Sequence, residues 1–116
     1  MEVEWNRCAR NRWCELNTVD LSHELFAEGG VYLVWNRGDH PAVLQAGCGN
    51  IRDKLTALKN SPEYQPYKEG DVRFAWAIVR EEDKRAGAAA YLAEKLKPLL
   101  GGSFPGVVTI PVNLPS

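Results

Sequence analysis

The chain has no run of about 18 apolar residues, which excludes a membrane-spanning helix. It has no basic excess either: 14 Lys and Arg stand against 15 Asp and Glu, a formal net charge of −1. Proteins that live on phosphate backbones usually carry a clear positive surplus, because each neutralised phosphate releases counterions. The balance lowers the expectation of tight, unassisted DNA binding and leaves room for a local basic patch. No repeat and no low-complexity stretch is present. The opening Met1-Glu2-Val3-Glu4-Trp5 is acidic and lacks an apolar core, so no signal peptide is expected and a cytoplasmic location follows. Cysteine is scarce and odd in number: Cys8, Cys14 and Cys48. The gap between the first two is not a zinc-knuckle spacing, so free thiols in a reducing compartment are expected.

What is present is an ordinary soluble composition. The 116 residues are 45% hydrophobic and 25% charged, enough for one domain with a single core. Val31-Tyr32-Leu33-Val34-Trp35 is rich in β-branched and aromatic residues and predicts a strand. Asn36 to Pro41 is a turn cluster, and Ala42 to Ala46 returns as a second strand. Gly47-Cys48-Gly49 is expected to break that strand, and Asn50 to cap a helix whose Ile51, Leu55 and Leu58 share one face. Asn60 to Asp71, with two prolines, predicts a loop, and Val72 to Val79 a third strand covered on both faces. Glu81 to Lys97 is the main helix, acidic at its start and basic at its end, with Ala89, Leu92, Leu96 and Leu99 as its inward stripe. Upstream, a short strand is expected near Trp13–Leu16 and a short helix from Asp20 to Phe26, stopped by Gly29-Gly30. Val107–Val112 is expected to pair briefly. The sum is an α+β domain: a small, mostly antiparallel three-stranded sheet flanked by helices.

Five landmarks in this order resemble the GIY-YIG endonuclease superfamily. Gly30-Val31-Tyr32 resembles the first motif, and Gln45-Ala46-Gly47 the second, with glutamine at its tyrosine. The helix from Asn50 resembles the one carrying the family arginine, here Lys54; one turn on, where the family often has histidine or tyrosine, stands Leu58. Counting back from Leu92 and Pro98, the metal-binding glutamate of the second long helix falls on Ala89. Asn113-Leu114-Pro115 resembles the terminal asparagine region. The resemblance implies an N-terminal extension, residues 1–29, packed on a nuclease-like domain of residues 30–116.

It also implies what has been lost. The family chemistry is single-metal phosphodiester hydrolysis, in which a tyrosine positions water, a metal holds the phosphate and an arginine neutralises charge. Losing the metal ligand alone costs on the order of a thousandfold. Glutamine is no base, lysine lacks the bidentate fork, and leucine handles no proton. Glu94 sits about 140° round the helix from Ala89 and points away from its face. The vestigial site is therefore Tyr32, Gln45, Gly47, Lys54, Leu58, Ala89 and Asn113, with no metal ligand and no confident catalytic residue. A catalytically degenerate binding module for nucleic acid or a protein partner is the leading expectation, needing no cofactor and no membrane.

Two alternatives remain. One is a divergent Mg²⁺-dependent endonuclease with a rebuilt carboxylate near Tyr32. The other is thiol chemistry at Cys48, where a Gly-Cys-Gly turn before a helix would favour an anion and lower a thiol pKa. His40, the candidate base, lies at the far end of the strand. Trp5, Arg7, Arg10, Arg12 and Trp13 interleave aromatics with arginines, a pattern compatible with base stacking and phosphate contact. Arg52 joins Lys54 as a nucleic-acid candidate, although two helix positions apart they face different directions. Tyr64 and Tyr67 line a surface or pin their loop; Trp35 and Trp76 are expected in the core.

Overall fold

In a computed structural model, which describes residues 1–101 and 103–116, the central strand is β2, Gly29–Asn36. It pairs antiparallel with β3, Ala42–Asn50, on one side and with β4, Val72–Ile78, on the other. A two-residue strand β1, Cys14–Glu15, adds to the far edge of β4, so the order is β1-β4-β2-β3. The sheet therefore has four strands, not the expected three. The added strand is the short one expected near Trp13–Leu16, which joins the sheet from an N-terminal segment whose Asn6 also bridges to Trp76. It covers the β4 edge, whose unpaired N–H and C=O groups would otherwise face water.

Period-two alternation along β2 sorts the side chains onto two faces. Tyr32 and Val34 join Leu44, Phe74 and Trp76 in one core cluster, closed by Ile51, Leu55 and Leu58 of helix α1, Ile51–Lys59. Val31 and Leu33 join Ala46 and Ala77 in the other, closed by Ala88 and Leu92 of helix α2, Glu82–Leu96. The two long helices thus pack on opposite faces. Asn50 caps α1 as its sequence predicts, its side chain accepting from Asp53 N–H at 3.0 Å.

The glycines do something other than punctuate. Gly29 and Gly30 do not stop a helix; they begin β2, where a Cβ on Gly30 would come within 2.9 Å of the Ala77 carbonyl carbon. Gly47 to Asn50 continue β3 rather than breaking it, because they pair in register with Tyr32 back to Gly29. The segment expected as a helix from Asp20 shrinks to a 3₁₀ turn, Glu24–Phe26, capped by His23. Another 3₁₀ stretch, Pro62–Tyr67, structures the expected loop. Tyr64 there is fully buried and donates to Asn17 Oδ1 at 2.6 Å, so it pins the loop.

At the end of α2, Lys97 adopts a left-handed conformation (φ 49°). The turn throws Leu99 outward, 63% exposed, which removes it from the expected stripe. Leu99 and Leu100 N–H then donate to Val43 and Leu44 carbonyls on the outer side of β3. Val107–Val112 forms no strand; Ile110 N–H donates instead to the Gly87 carbonyl of α2. The run Gly87-Ala88-Ala89-Ala90 is buried, and its small side chains permit that close approach. Cys8 and Cys14 are joined in a disulfide, with Cα atoms 5.0 Å apart, which corrects the expectation of free thiols there. Left-handed Arg10 and Asn11 (φ 61° and 56°) turn the chain back on itself, and that turn brings the two cysteines together.

Candidate functional site

Tyr32 stands on the α1 face, and its cross-strand partner on β3 is Gly47. Lacking a side chain, Gly47 lets the phenol ring lie across its backbone; a Cβ there would sit 2.6 Å from Tyr32 Cζ. The hydroxyl reaches over the glycine and donates to Gln45 Oε1 at 2.7 Å. Burial, first, and the neighbouring Cys48 push the Tyr32 pKa up to about 12. The phenol is therefore protonated at neutral pH and already committed as a donor.

A cavity of about 340 Å³ opens beside this pair, lined by Tyr32, Gln45, Lys54, Leu58, Ser61 and Glu63 among others. Strand β3 supplies Gln45, α1 supplies Lys54 and Leu58, and the 3₁₀ stretch after α1 brings in Glu63. Lys54 and Glu63 are exposed at the rim, and Leu58 is buried. Five of the seven positions named by the resemblance thus come together: Tyr32, Gln45, Gly47, Lys54 and Leu58. Sequence reasoning missed Ser61 and Glu63 because it assigned their segment to an unstructured loop. The Pro62 following Ser61, which suits the first turn of a helix, was the available signal.

The other two positions lie elsewhere. Ala89 is fully buried on α2, on the opposite face of the sheet from Tyr32. Asn113 clamps the N-terminal segment. Its side chain accepts from Val3 N–H at 2.8 Å and donates to the Val3 carbonyl at 2.9 Å. Its own carbonyl accepts from Trp5 Nε1 at 2.8 Å. Asn113 is occupied in holding the chain together. Glu94 is exposed, as its helical position predicts.

The arginines divide the same way. Arg52 spends its guanidinium on three carbonyls, of Leu21, Ser22 and His23, at 2.7 to 2.9 Å. Arg7 lies 4.0 Å over the Trp13 ring and donates to the carbonyls of Asn11 and Ser116. Trp5 is half-buried against the α2-face cluster. Of the interleaved segment, Arg10 and Arg12 remain exposed. Trp76 is core, as expected, while Trp35 is only half-buried and meets Trp13 edge-on at 5.6 Å.

Cys48 is half-buried near Arg85 and Gly49. Burial pushes its thiol pKa up, outweighing the pull of Lys54 and Arg85. The expected lowering by a helix start is absent because Cys48 is still strand, paired with Val31. No helix of the structure is long and apolar enough to cross a membrane among the described residues. No protein-family model, no curated protein and no solved structure gives a significant match to the chain.

Proposed function

We propose that the chain is a catalytically degenerate GIY-YIG-like domain that works by binding, with the Tyr32 pocket as its contact face. The observation that carries this reading is the Tyr32–Gln45 hydrogen bond. A phenol that donates to an amide, with its pKa raised to about 12, takes no proton from water at neutral pH. The position that the resemblance gives to the metal ligand is a buried methyl on the other face of the sheet. Magnesium does not fit the lining residues: Glu63 is the one carboxylate among them and sits in the same pocket as the Lys54 ammonium. A hard cation wants several oxygens.

A protein partner suits this face better than nucleic acid. Arg7 and Arg52 are bound within the chain, and a phosphate backbone entering the pocket would meet Glu63. Gln45 and Lys54 offer donors and Glu63 an acceptor, a set matched to peptide groups.

The second reading, an active endonuclease, draws on Glu63, the carboxylate that lines the Tyr32 pocket. A cleavage assay on supercoiled plasmid and single-stranded DNA, with Mg²⁺ or Mn²⁺, separates the two. No cleavage is expected from the wild type or from Ala89→Glu. Cleavage that disappears in both Tyr32→Phe and Glu63→Gln would establish the nuclease and remove the binding reading. Mobility shift with the same DNA at about 0.15 M salt is expected to show no complex.

A further inference from the structure

Away from the Tyr32 pocket, two cavities share one wall, the Trp13 ring. The first, about 290 Å³, is apolar and lined by Trp13, Leu33, Trp35, Val43, Leu96 and Leu114, with Pro115 at its end. It lies on the α2 face, where Leu33 and Val43 belong to or pack on that core cluster. The second, about 400 Å³, is lined by Asn11, Arg12, Trp13, Arg37 and Arg73.

The three guanidinium groups of the second cavity are not equivalent. Arg73 is buried and already matched: Nε meets Asp71 at 2.6 Å, and Nη2 meets Glu15 at 3.1 Å. Arg12 and Arg37 are exposed, and among the described residues neither side chain has an ion pair or a hydrogen bond. Two unspent forks thus share a cavity with Trp13, which also lines the apolar groove. The arrangement is held in advance. The Cys8–Cys14 disulfide closes the segment, Cys8 N–H donates to the Arg12 carbonyl at 2.8 Å, and Arg7 covers Trp13. Rigid placement before binding lowers the ordering cost of the complex.

We infer that these two cavities form one bipartite site for a peptide segment carrying a large apolar side chain close to a carboxylate. The apolar side chain enters the Trp13–Leu33–Val43–Leu96 groove, at the low end of the size range for binding pockets. The carboxylate meets Arg12 and Arg37, whose planar forks accept it bidentately. Single-stranded nucleic acid fits less well. Base stacking needs open aromatic faces, whereas Arg7 covers one side of Trp13 and the groove walls are mostly aliphatic. This site does not depend on the Tyr32 pocket and stands whether or not that reading holds.

The test is selection of a random phage-displayed heptapeptide library on the oxidised wild-type chain. Synthetic versions of the enriched peptides are then titrated by tryptophan fluorescence. Enrichment of sequences with Leu, Phe or Trp beside Asp or Glu is expected. Binding should fall at least about tenfold in Arg12→Gln or Arg37→Gln, and likewise in Leu114→Arg at the groove. All three positions are exposed, and circular dichroism checks the fold. Thr56→Ala and Lys68→Ala, exposed positions that line neither cavity, are expected to leave affinity unchanged. No enrichment, enriched peptides without acidic residues, or equal binding by the Arg12 and Arg37 variants would each overturn the inference. So would tighter binding of oligo(dT) than of any peptide, abolished by the same variants.

Discussion

The Tyr32 hydroxyl donates to Gln45 Oε1 at 2.7 Å, across the backbone of Gly47. One strand contributes the donor, its neighbour the acceptor, and the glycine between them the space. The arrangement ties three positions of the sequence motifs into one structural unit, and it sets what the phenol does at neutral pH.

That unit has an alkaline signature. Tyr32 and Tyr64 are both pushed up to about 12, in each case chiefly by burial. In the unfolded chain a phenol loses its proton near pH 10. Between about pH 10 and 12 the unfolded state therefore binds fewer protons than the folded state, and stability falls as pH rises; below pH 10 neither tyrosine contributes a slope. Urea unfolding at pH 9 and pH 11 reads the effect. Tyr32→Phe is expected to lose about 1 kcal/mol less than the wild type over that interval. Identical losses would mean that Tyr32 ionises as freely as in water.

Gly30 and Gly47 are expected to differ in what an added methyl costs. At Gly47 the obstacle is the Tyr32 ring, a side chain that can move; at Gly30 it is the Ala77 backbone. Gly47→Ala should destabilise by about 1–3 kcal/mol, and Gly30→Ala by more. Combining Gly47→Ala with Tyr32→Ala should cost less than the sum of the two single changes. Additive thermal unfolding data would show that the ring and the glycine are not in contact.

The disulfide closes a short loop, so its removal is expected to cost about 2 kcal/mol. Calorimetry with and without a reductant measures it on one sample. Cys8→Ala should match the reduced wild type, since Cys14 stays buried in the core. A reduced protein that melts at the oxidised temperature would mean that the bond contributes nothing to the fold.

Asn113→Ala removes both hydrogen bonds to Val3 and should cost about 1–3 kcal/mol. Amide exchange at Val3 should quicken while the β2 amides stay protected. Asn113→Asp keeps the acceptor for Val3 N–H and gives up the donor, so its exchange rate should fall between the two. Fast exchange at Val3 in the wild type already would remove the clamp.

How much was legible varies by element, for reasons of range. The strands Val31–Trp35 and Val72–Val79 announce themselves through β-branched and aromatic residues, and helix α1 through Asn50 and a periodic apolar face. These are local signals, carried by neighbours in the chain. Gly30 and Gly47 were misread because a glycine that opens a turn and a glycine that admits a neighbouring strand look alike until the neighbour is in place. Arg52 and Asn113 read as ligand-facing groups, yet each found its acceptors within the chain, on segments about 30 and 110 residues away. Glu63 entered the Tyr32 pocket from a stretch with no periodic pattern to mark it.

The amino-acid sequence by itself determined the α+β class, the hairpin, the two long helices and the grouping of Tyr32, Gln45 and Lys54 at the pocket, though not the arrival of Ser61 and Glu63. Propensity, capping and periodicity act over a few residues and need no partner. Only the tertiary structure decided that α1 and α2 cover opposite faces, that Ala89 and Asn113 stand apart from Tyr32, that Cys8 meets Cys14, and that Trp13 joins an apolar groove to two free arginines. Those outcomes depend on which surfaces are buried against each other, and burial is a property of the whole packed chain.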